Sequence, residues 1–484
     1  MEQERISRRS TLKAMGLAGA SALFGSKPAG AETKGGKRKN AKPCPGDIRQ
    51  AIRKKVFETP FIDTHTHLFD ESQRLSDPPH PRMKSDDWSV VFSHLTSADM
   101  EVAGMPRSVK DRFFSPKVDP LDKWKLLEPY WLAIKNTGYG QAIRITLKEL
   151  YDVDRLSVET VKKVQLGYEK VRRPGFYRRI LCDLANIESC QVNSRMAPFR
   201  ESDMPQLLMQ DIGVSGMIDL RNQQQVRKPT GIVVSRLSDW HKVIDFWFDK
   251  YGRYAVAIKS KNAYQRDIDF DKVSAKKVEH AFEEKLAGRS LSDADEKALQ
   301  DHLFWYTVDK ANKYNLPVKI HTGYRSDVNN MPLGQVSKNP ASASNLCYLD
   351  RAKETRFVFF HICYPYYKPM IALAKQYSNA YIDMCWSWIM NPVAAKDFLK
   401  KFLVCAPANK IFTFGGDFRP VEPVLGHSIM TRRGIALALS ELVEQGWLGL
   451  DDAMELVRPI MYDNARHVFN LAEKQKILSG VKWV

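Results

Sequence analysis

Pro60-Phe61-Ile62-Asp63-Thr64-His65-Thr66-His67-Leu68-Phe69-Asp70 is the stretch from which the fold is read. It begins as a buried strand and ends in two histidines one residue apart. Side chains alternate faces along a strand, so His65 and His67 point the same way. Two imidazoles at a strand end can bind one metal ion, provided that further ligands arrive from elsewhere. His-x-His alone does not decide the matter, because packed or solvated histidines share that spacing. What decides it is the rest of the chain.

From about residue 187 onward, short apolar runs alternate with helical patterns. The expected strands are Ile187–Val192, Val214–Leu220, Ala255–Lys259, Pro317–His321, Phe357–His361, Ala380–Met384 and Ile411–Phe414. Helical spacing separates several of them, as in Asp239–Lys250, Asp293–Tyr314 (capped by Ser292) and Pro369–Tyr377. Continuous apolar strands followed by helices argue for a parallel sheet covered on both faces. With the first strand there are eight, which predicts an α/β fold of the (β/α)8 TIM-barrel type, with the active site at the C-terminal strand ends.

Between the first and second strands, about 71–185 reads as a helical insertion that could roof the site. Asp119-Pro120 is a helix start, with Leu121, Trp124, Leu127, Trp131 and Ile134 following at helical spacing. Further helices are expected over 157–172 and 175–185.

Polar residues recur where the strands end. The fourth ends at Lys259, the fifth at His321, the sixth at His361, and the eighth runs into Gly415-Gly416-Asp417. Any one of these could be an ordinary hydrogen-bonded core residue. Three histidine positions and an aspartate, after strands one, five, six and eight, are much harder to ascribe to chance.

That order resembles the amidohydrolase superfamily of metal-dependent hydrolases, over nearly all of 59–472. Within it the chain is similar to the amidohydrolase-related group that includes the N-terminal domain of nodulin/FluG-type proteins. The supporting stretches are Lys259-Ser260 with Tyr264 and Arg266, His321-Thr322-Gly323, His361 with Tyr364-Pro365-Tyr366, and Ala406-Pro407-Ala408-Asn409-Lys410. A second likeness, to uronate isomerase, rests on His321-x-Gly-x-Arg325, Asn329-Asn330 and Asp417-x-Arg419. No strand-seven signature or pocket pattern identifies a substrate.

The resemblance implies a divalent cation, most simply Zn²⁺, held by His65, His67, His321 and Asp417, with His361 as a ligand in a two-ion site or as an orienting group. One ion is favoured over two. Asp417, His361 and Lys259 are the catalytic candidates; Lys259 is either a cation facing substrate or, carboxylated, a bridge between metals. Arg325 and Arg419 suit bidentate binding of a carboxylate. Tyr324 and Trp386 complete the substrate-binding set, and Trp386 with Trp388 could form an apolar or sugar-stacking wall. The leading reading is a hydrolase cleaving a C–N or C–O bond of a small, acidic molecule. The alternatives are a sugar-acid isomerase and a non-catalytic, exported metal- or ligand-binding barrel.

The N-terminus carries an address. Ser7-Arg8-Arg9-Ser10-Thr11-Leu12-Lys13 precedes a weakly apolar Ala/Gly-rich run and Ala29-Gly30-Ala31. This resembles a twin-arginine signal peptide over 1–31, implying export to the periplasm, although Thr11 stands where Phe is usual. A basic linker is expected over 32–58. The formal charge of +18 falls to about +15 without 1–31, and could favour anionic partners. No zinc-finger, helix-turn-helix or RNP pattern supports nucleic acid. No run of about twenty apolar residues supports stable membrane insertion. The seven cysteines are scattered, odd in number and mostly inside apolar runs, as buried free thiols are. The partner expected is a small-molecule substrate, and a homo-oligomer is compatible with the sequence.

Overall fold

Strand β1, Phe61–Thr66, is buried along its whole length, so its apolar and polar side chains alike face protein. The computed structural model describes residues 45–76, 85–195, 197–221, 223–326, 328–329 and 331–483. The signal-peptide reading of 1–31 and the linker reading of 32–44 lie outside these residues.

Seven more strands follow in chain order. They are β2 (Ile187–Val192), β3 in two pieces (Leu208–Gln210 and Ile212–Gly213), β4 (Ile258–Ser260), β5 (Val318–His321), β6 (Phe357–Phe360), β7 (Ala380–Asp383) and β8 (Ile411–Phe412). All neighbouring pairs are parallel, with Ile187 opposite Phe61, Val318 opposite Ile258 and Ala380 opposite Phe357. The chain just past β8 returns to β1: Thr64 N donates to Phe414 O at 3.1 Å, Asp417 N to His65 O at 2.9 Å and His67 N to Phe418 O at 2.9 Å. The architecture is the expected (β/α)8 barrel, and those last bonds set Asp417 beside the two histidines.

The third strand is not where the sequence pattern puts it. Residues 214–220 contain a helical turn, Ser215–Ile218, and the strand runs through 208–213 instead. Its reading was obscured by Asp211, a charged residue at the centre of the strand segment. Asp211 points into the barrel, where both its oxygens accept from Lys319 Nζ at 2.8 and 2.9 Å, and Lys319 also donates to Thr64 O at 2.9 Å. Both side chains are fully buried, so each charge depends on the other.

A second difference lies before β1. Residues 45–58, read as linker, form helix α1 (Pro45–Glu58). Ile48, Ile52 and Val56 recur every four residues and are buried, a stripe that the surrounding basic residues mask in a reading by composition.

The segment between β1 and β2 is helical. It includes α2 (Lys123–Ile134), α3 (Gly138–Tyr151) and α4 (Val161–Val171). Trp124, Leu127, Trp131 and Ile134 are buried as their spacing requires, whereas Leu121 lies ahead of the helix and is exposed. Helix α3 was not expected. It packs closely on a later helix, 422–444: a Cβ on Gly426 would lie 2.0 Å from Ala142 O, so only glycine permits this approach. Among the described residues, no helix is long and apolar enough to cross a membrane.

Candidate active site

Each candidate is carried to the barrel mouth by the end of a strand. His65 lies within β1 and His67 just beyond it; Lys259 is in β4, His321 ends β5, and His361 follows β6 in a 3-10 turn with a φ of 67°. Asp417 also has a positive φ, 53°, and turns back onto β1. Gly416 lets this happen, its N–H donating to Asp63 Oδ1 at 3.0 Å.

His65, His67 and Asp417 offer ligand atoms that all lie within 4.8 Å of one another. Asp417 Oδ1 is 3.5 Å from His65 Nε2 and 3.3 Å from His67 Nε2. His67 Nδ1 donates to Asn193 O at 2.7 Å, which fixes the tautomer and leaves a lone pair on Nε2. That lone pair faces a carboxylate oxygen, and two acceptors so placed repel unless a proton or cation lies between them. A tetrahedral ion with bonds of about 2.1 Å sets its ligand atoms about 3.4 Å apart. The donor set therefore fits a divalent cation.

Electrostatics agree with a cation-ready centre. Burial lowers the pKa of His65, His67 and His321 well below the ordinary imidazole value and takes His361 to about 3, so all four stay neutral and able to ligate. Burial raises Asp417 to about 7, against the pull of Lys259, Arg195 and Arg419.

A second set, His361, Cys385 and Asp417, also lies within 4.8 Å. His361 Nδ1 donates to Cys385 O at 3.0 Å, leaving Nε2 as its acceptor. His321 belongs to neither set. Its ring is 4.6 Å from that of His361 and 4.3 Å from that of Tyr264, and its Nε2 has no hydrogen-bond partner among the described residues. Lys259 Nζ is equally unpartnered among them, buried 3.6 Å from the centre of the Phe360 ring, and burial lowers its pKa to about 7.

Beside His67 opens a cavity of about 270 Å³, at the small end for ligand sites. Arg195, Arg221, Lys261 and Arg325 line it against one acid, Asp219. Arg325 also stands over the Tyr264 ring at 5.2 Å. Arg419 is not among the lining residues; its charge acts on Asp417 and His94. Trp386 is buried, edge-on to His361 at 5.2 Å and 5.3 Å from Tyr324, and its Nε1 donates to the Tyr139 hydroxyl at 2.8 Å. The helical segment thus reaches the site through Tyr139, and again through His94, whose ring is 5.8 Å from that of His67. Trp388 is no part of a wall: it is core, donating to Thr413 O at 2.9 Å.

Sequence reading missed Arg195, Arg221, Lys261, His94 and Cys385. Inspecting the ends of strands two and seven as closely as the others would have found Arg195 and Cys385. Arg221 was hidden by the misplaced third strand. His94 has no local signal, since only the packing of the insertion brings it over β1.

The family model described as Amidohydrolase matches residues 266–471. Protein fluG of Emericella nidulans is 24% identical over 233 residues, 45% of this chain; the match spans 26% of that protein's length. Among solved structures, uronate isomerase from Thermotoga maritima superposes with a TM-score of 0.70 at 14% identity, covering 87% of this chain and 97% of that one. Glucuronate isomerase from Caulobacter crescentus gives 0.69 at 14% identity, covering 89% and 95%. A Lactobacillus casei protein classed as a metal-dependent hydrolase gives 0.61 at 13% identity, covering 87% and 98%. At such identities the structural likenesses speak to the fold. With the family-model match, they support the amidohydrolase superfamily.

Proposed function

We propose that this chain is a metal-dependent hydrolase of the amidohydrolase superfamily, acting on a C–N or C–O bond of a small anionic molecule. The observation that carries the reading is the His65–His67–Asp417 triad, spaced for a cation, with His67 itself lining an arginine-rich cavity. His65, His67 and Asp417 would hold the ion, most simply Zn²⁺, with His321 and His361 in reserve. A cation there supplies Lewis-acid polarisation of a carbonyl and activation of water. Asp417 is the carboxylate placed to accept a proton from attacking water and return it to the leaving group. Arg325, with Arg195 and Arg221, would hold a substrate carboxylate by paired N–H donors. Lys259, set over the Phe360 ring, and His361, edge-on to Trp386, would orient the reacting group.

A second reading is isomerisation of a sugar acid. It is favoured by the basic cavity and by the fold likeness to two uronate-type isomerases. In that chemistry the same Asp417 would manage a proton at a hydroxyl-bearing carbon. The Arg8-Arg9 pattern supports export to the periplasm in either case.

The test is metal analysis of purified protein joined to a screen of lactones, N-acyl amino acids and uronates. Turnover of an acyl compound with uptake of water supports the hydrolase. Interconversion of uronates without hydrolysis replaces it with the isomerase. Metal-free protein that is active on either class removes both metal readings.

A further inference from the structure

The cavity beside His67 carries more positive charge than one carboxylate calls for. Arg195 follows β2, Arg221 follows β3, Lys261 follows β4 and Arg325 follows β5, so four neighbouring strand ends each add one cation to the lining. Asp219 is the single carboxylate among the described lining residues, and its oxygens are engaged from within the protein. Its Oδ1 accepts from Arg221 N at 3.0 Å, and its Oδ2 accepts from Gln265 Nε2 at 3.2 Å once that amide is turned to suit both its neighbours. Gln265 Oε1 then accepts from Arg221 Nη1 at 2.9 Å, which steadies the guanidinium at the cavity wall. A carboxylate is satisfied by the paired N–H donors of one arginine. The lining offers three guanidiniums and an ammonium.

Lys261 is the cation for which a single substrate carboxylate has no use. Its backbone N–H donates to Ser215 Oγ at 2.6 Å, tying the end of β4 to the loop after β3. Its Nζ makes no hydrogen bond or ion pair among the described residues. Burial, helped by the charge of Arg195 and opposed by Asp219 and Asp417, lowers its pKa to about 8. The charges of Arg195 and Lys261 also bear on His67, which lines the same cavity, so the triad and the cations lie within the span of one small molecule. Like charges gathered around a cavity draw in, and are relieved by, an anion of more than one charge.

We propose that the substrate is a dianion: beside the carboxylate held by the arginines it carries a second anionic group, a carboxylate or a phosphate, that pairs with Lys261. This rests on the reading of the cavity as the substrate pocket of the metal centre. Lys261 is then the residue that selects dianions over monoanions of the same size.

The experiment is isothermal titration calorimetry at fixed ionic strength on full-length protein, both zinc-loaded and stripped by chelation. The probes are glutarate, 3-phosphonopropionate and glutaramate, which has the shape of glutarate with one charge removed. In both forms of the wild type a dianion should bind about tenfold or more tightly than glutaramate. Lys261→Met should bring dianion affinity down to that of glutaramate and leave glutaramate little changed, whereas Lys261→Arg should keep the preference. Lys353→Gln, which removes an exposed charge elsewhere, should alter neither. Whichever of glutarate and 3-phosphonopropionate binds more tightly identifies the second group. Equal affinity for all three probes, failure of all three to bind, or a preference that survives in Lys261→Met overturns the proposal. A preference confined to the zinc-loaded protein places the second group on the metal and overturns it as well. Failure of zinc to load, with the preference intact, takes down the metal-dependent hydrolase and keeps the dianion site. Circular dichroism checks the fold of Lys261→Met; Lys261→Gln is the second variant, and the wild-type comparison of glutarate with glutaramate decides if neither folds.

Discussion

At Asp417 one carboxylate is asked both to ligate and to carry a proton, and the two roles separate by substitution. Asn keeps the size and one oxygen ligand but cannot accept a proton as a carboxylate does. Asp417→Asn should retain much of its metal and lose on the order of 10²–10⁴-fold in turnover. His65→Ala should lose metal and activity together, because the remaining set is one ligand short. Metal content and turnover, measured on the substrate that the screen returns, check both. Near wild-type turnover in Asp417→Asn would remove it from proton transfer.

At the scale of elements, strand β3 is tied to β5 by a charge pair inside the barrel. Lys319→Met leaves Asp211 buried without its partner, and breaking such a pair costs about 3–5 kcal/mol. Urea unfolding should show that loss, and Asp211→Leu combined with Lys319→Met should recover part of it. A second contact joins the helices Leu237–Tyr251 and Asp293–Lys313, where His241 Nε2 and His302 Nε2 are 3.0 Å apart. Burial, helped by the His302 charge and opposed by Asp245, lowers the pKa of His241 to about 4. The unfolded chain, with an ordinary imidazole, binds the proton first. Stability from this contact is therefore present above about pH 6.5 and is lost as pH falls toward 4. In His241→Gln, the midpoint of denaturant unfolding should fall less over that interval than in the wild type. An unchanged pH dependence would remove His241 as its source.

For the whole molecule, the centre should couple metal to stability. At free metal 100-fold above the dissociation constant, binding stabilises the folded chain by about 2.7 kcal/mol. Chelation should then lower the thermal unfolding midpoint and added Zn²⁺ should restore it, whereas equal midpoints would mean that no ion is bound. Export is tested separately. Replacing Arg8 and Arg9 by Lys should leave an uncleaved precursor in the cytoplasm, and normal export of that variant would sink the twin-arginine reading.

The sequence by itself determined the barrel and the strand-end residues His65, His67, Lys259, His321, His361 and Asp417. Buried parallel strands are read as continuous apolar runs, and a polar residue that ends such a run stands out. The same logic failed at β3, where Asp211 breaks the run because its charge is matched by Lys319, far away in sequence. It failed again at α1, whose apolar stripe is diluted by basic residues. The family resemblance anticipated His65, His67 and Asp417 as one group, but only tertiary structure decided its geometry and left His321 outside that set. Closure of the chain after β8 onto β1 put Asp417 against His65 and His67. The neighbouring strand ends joined Cys385 to His361, and folding of the insertion laid His94 beside His67 and Tyr139 against Trp386. Local pattern records which face a side chain takes; which side chains meet across a barrel is fixed only by closure and packing.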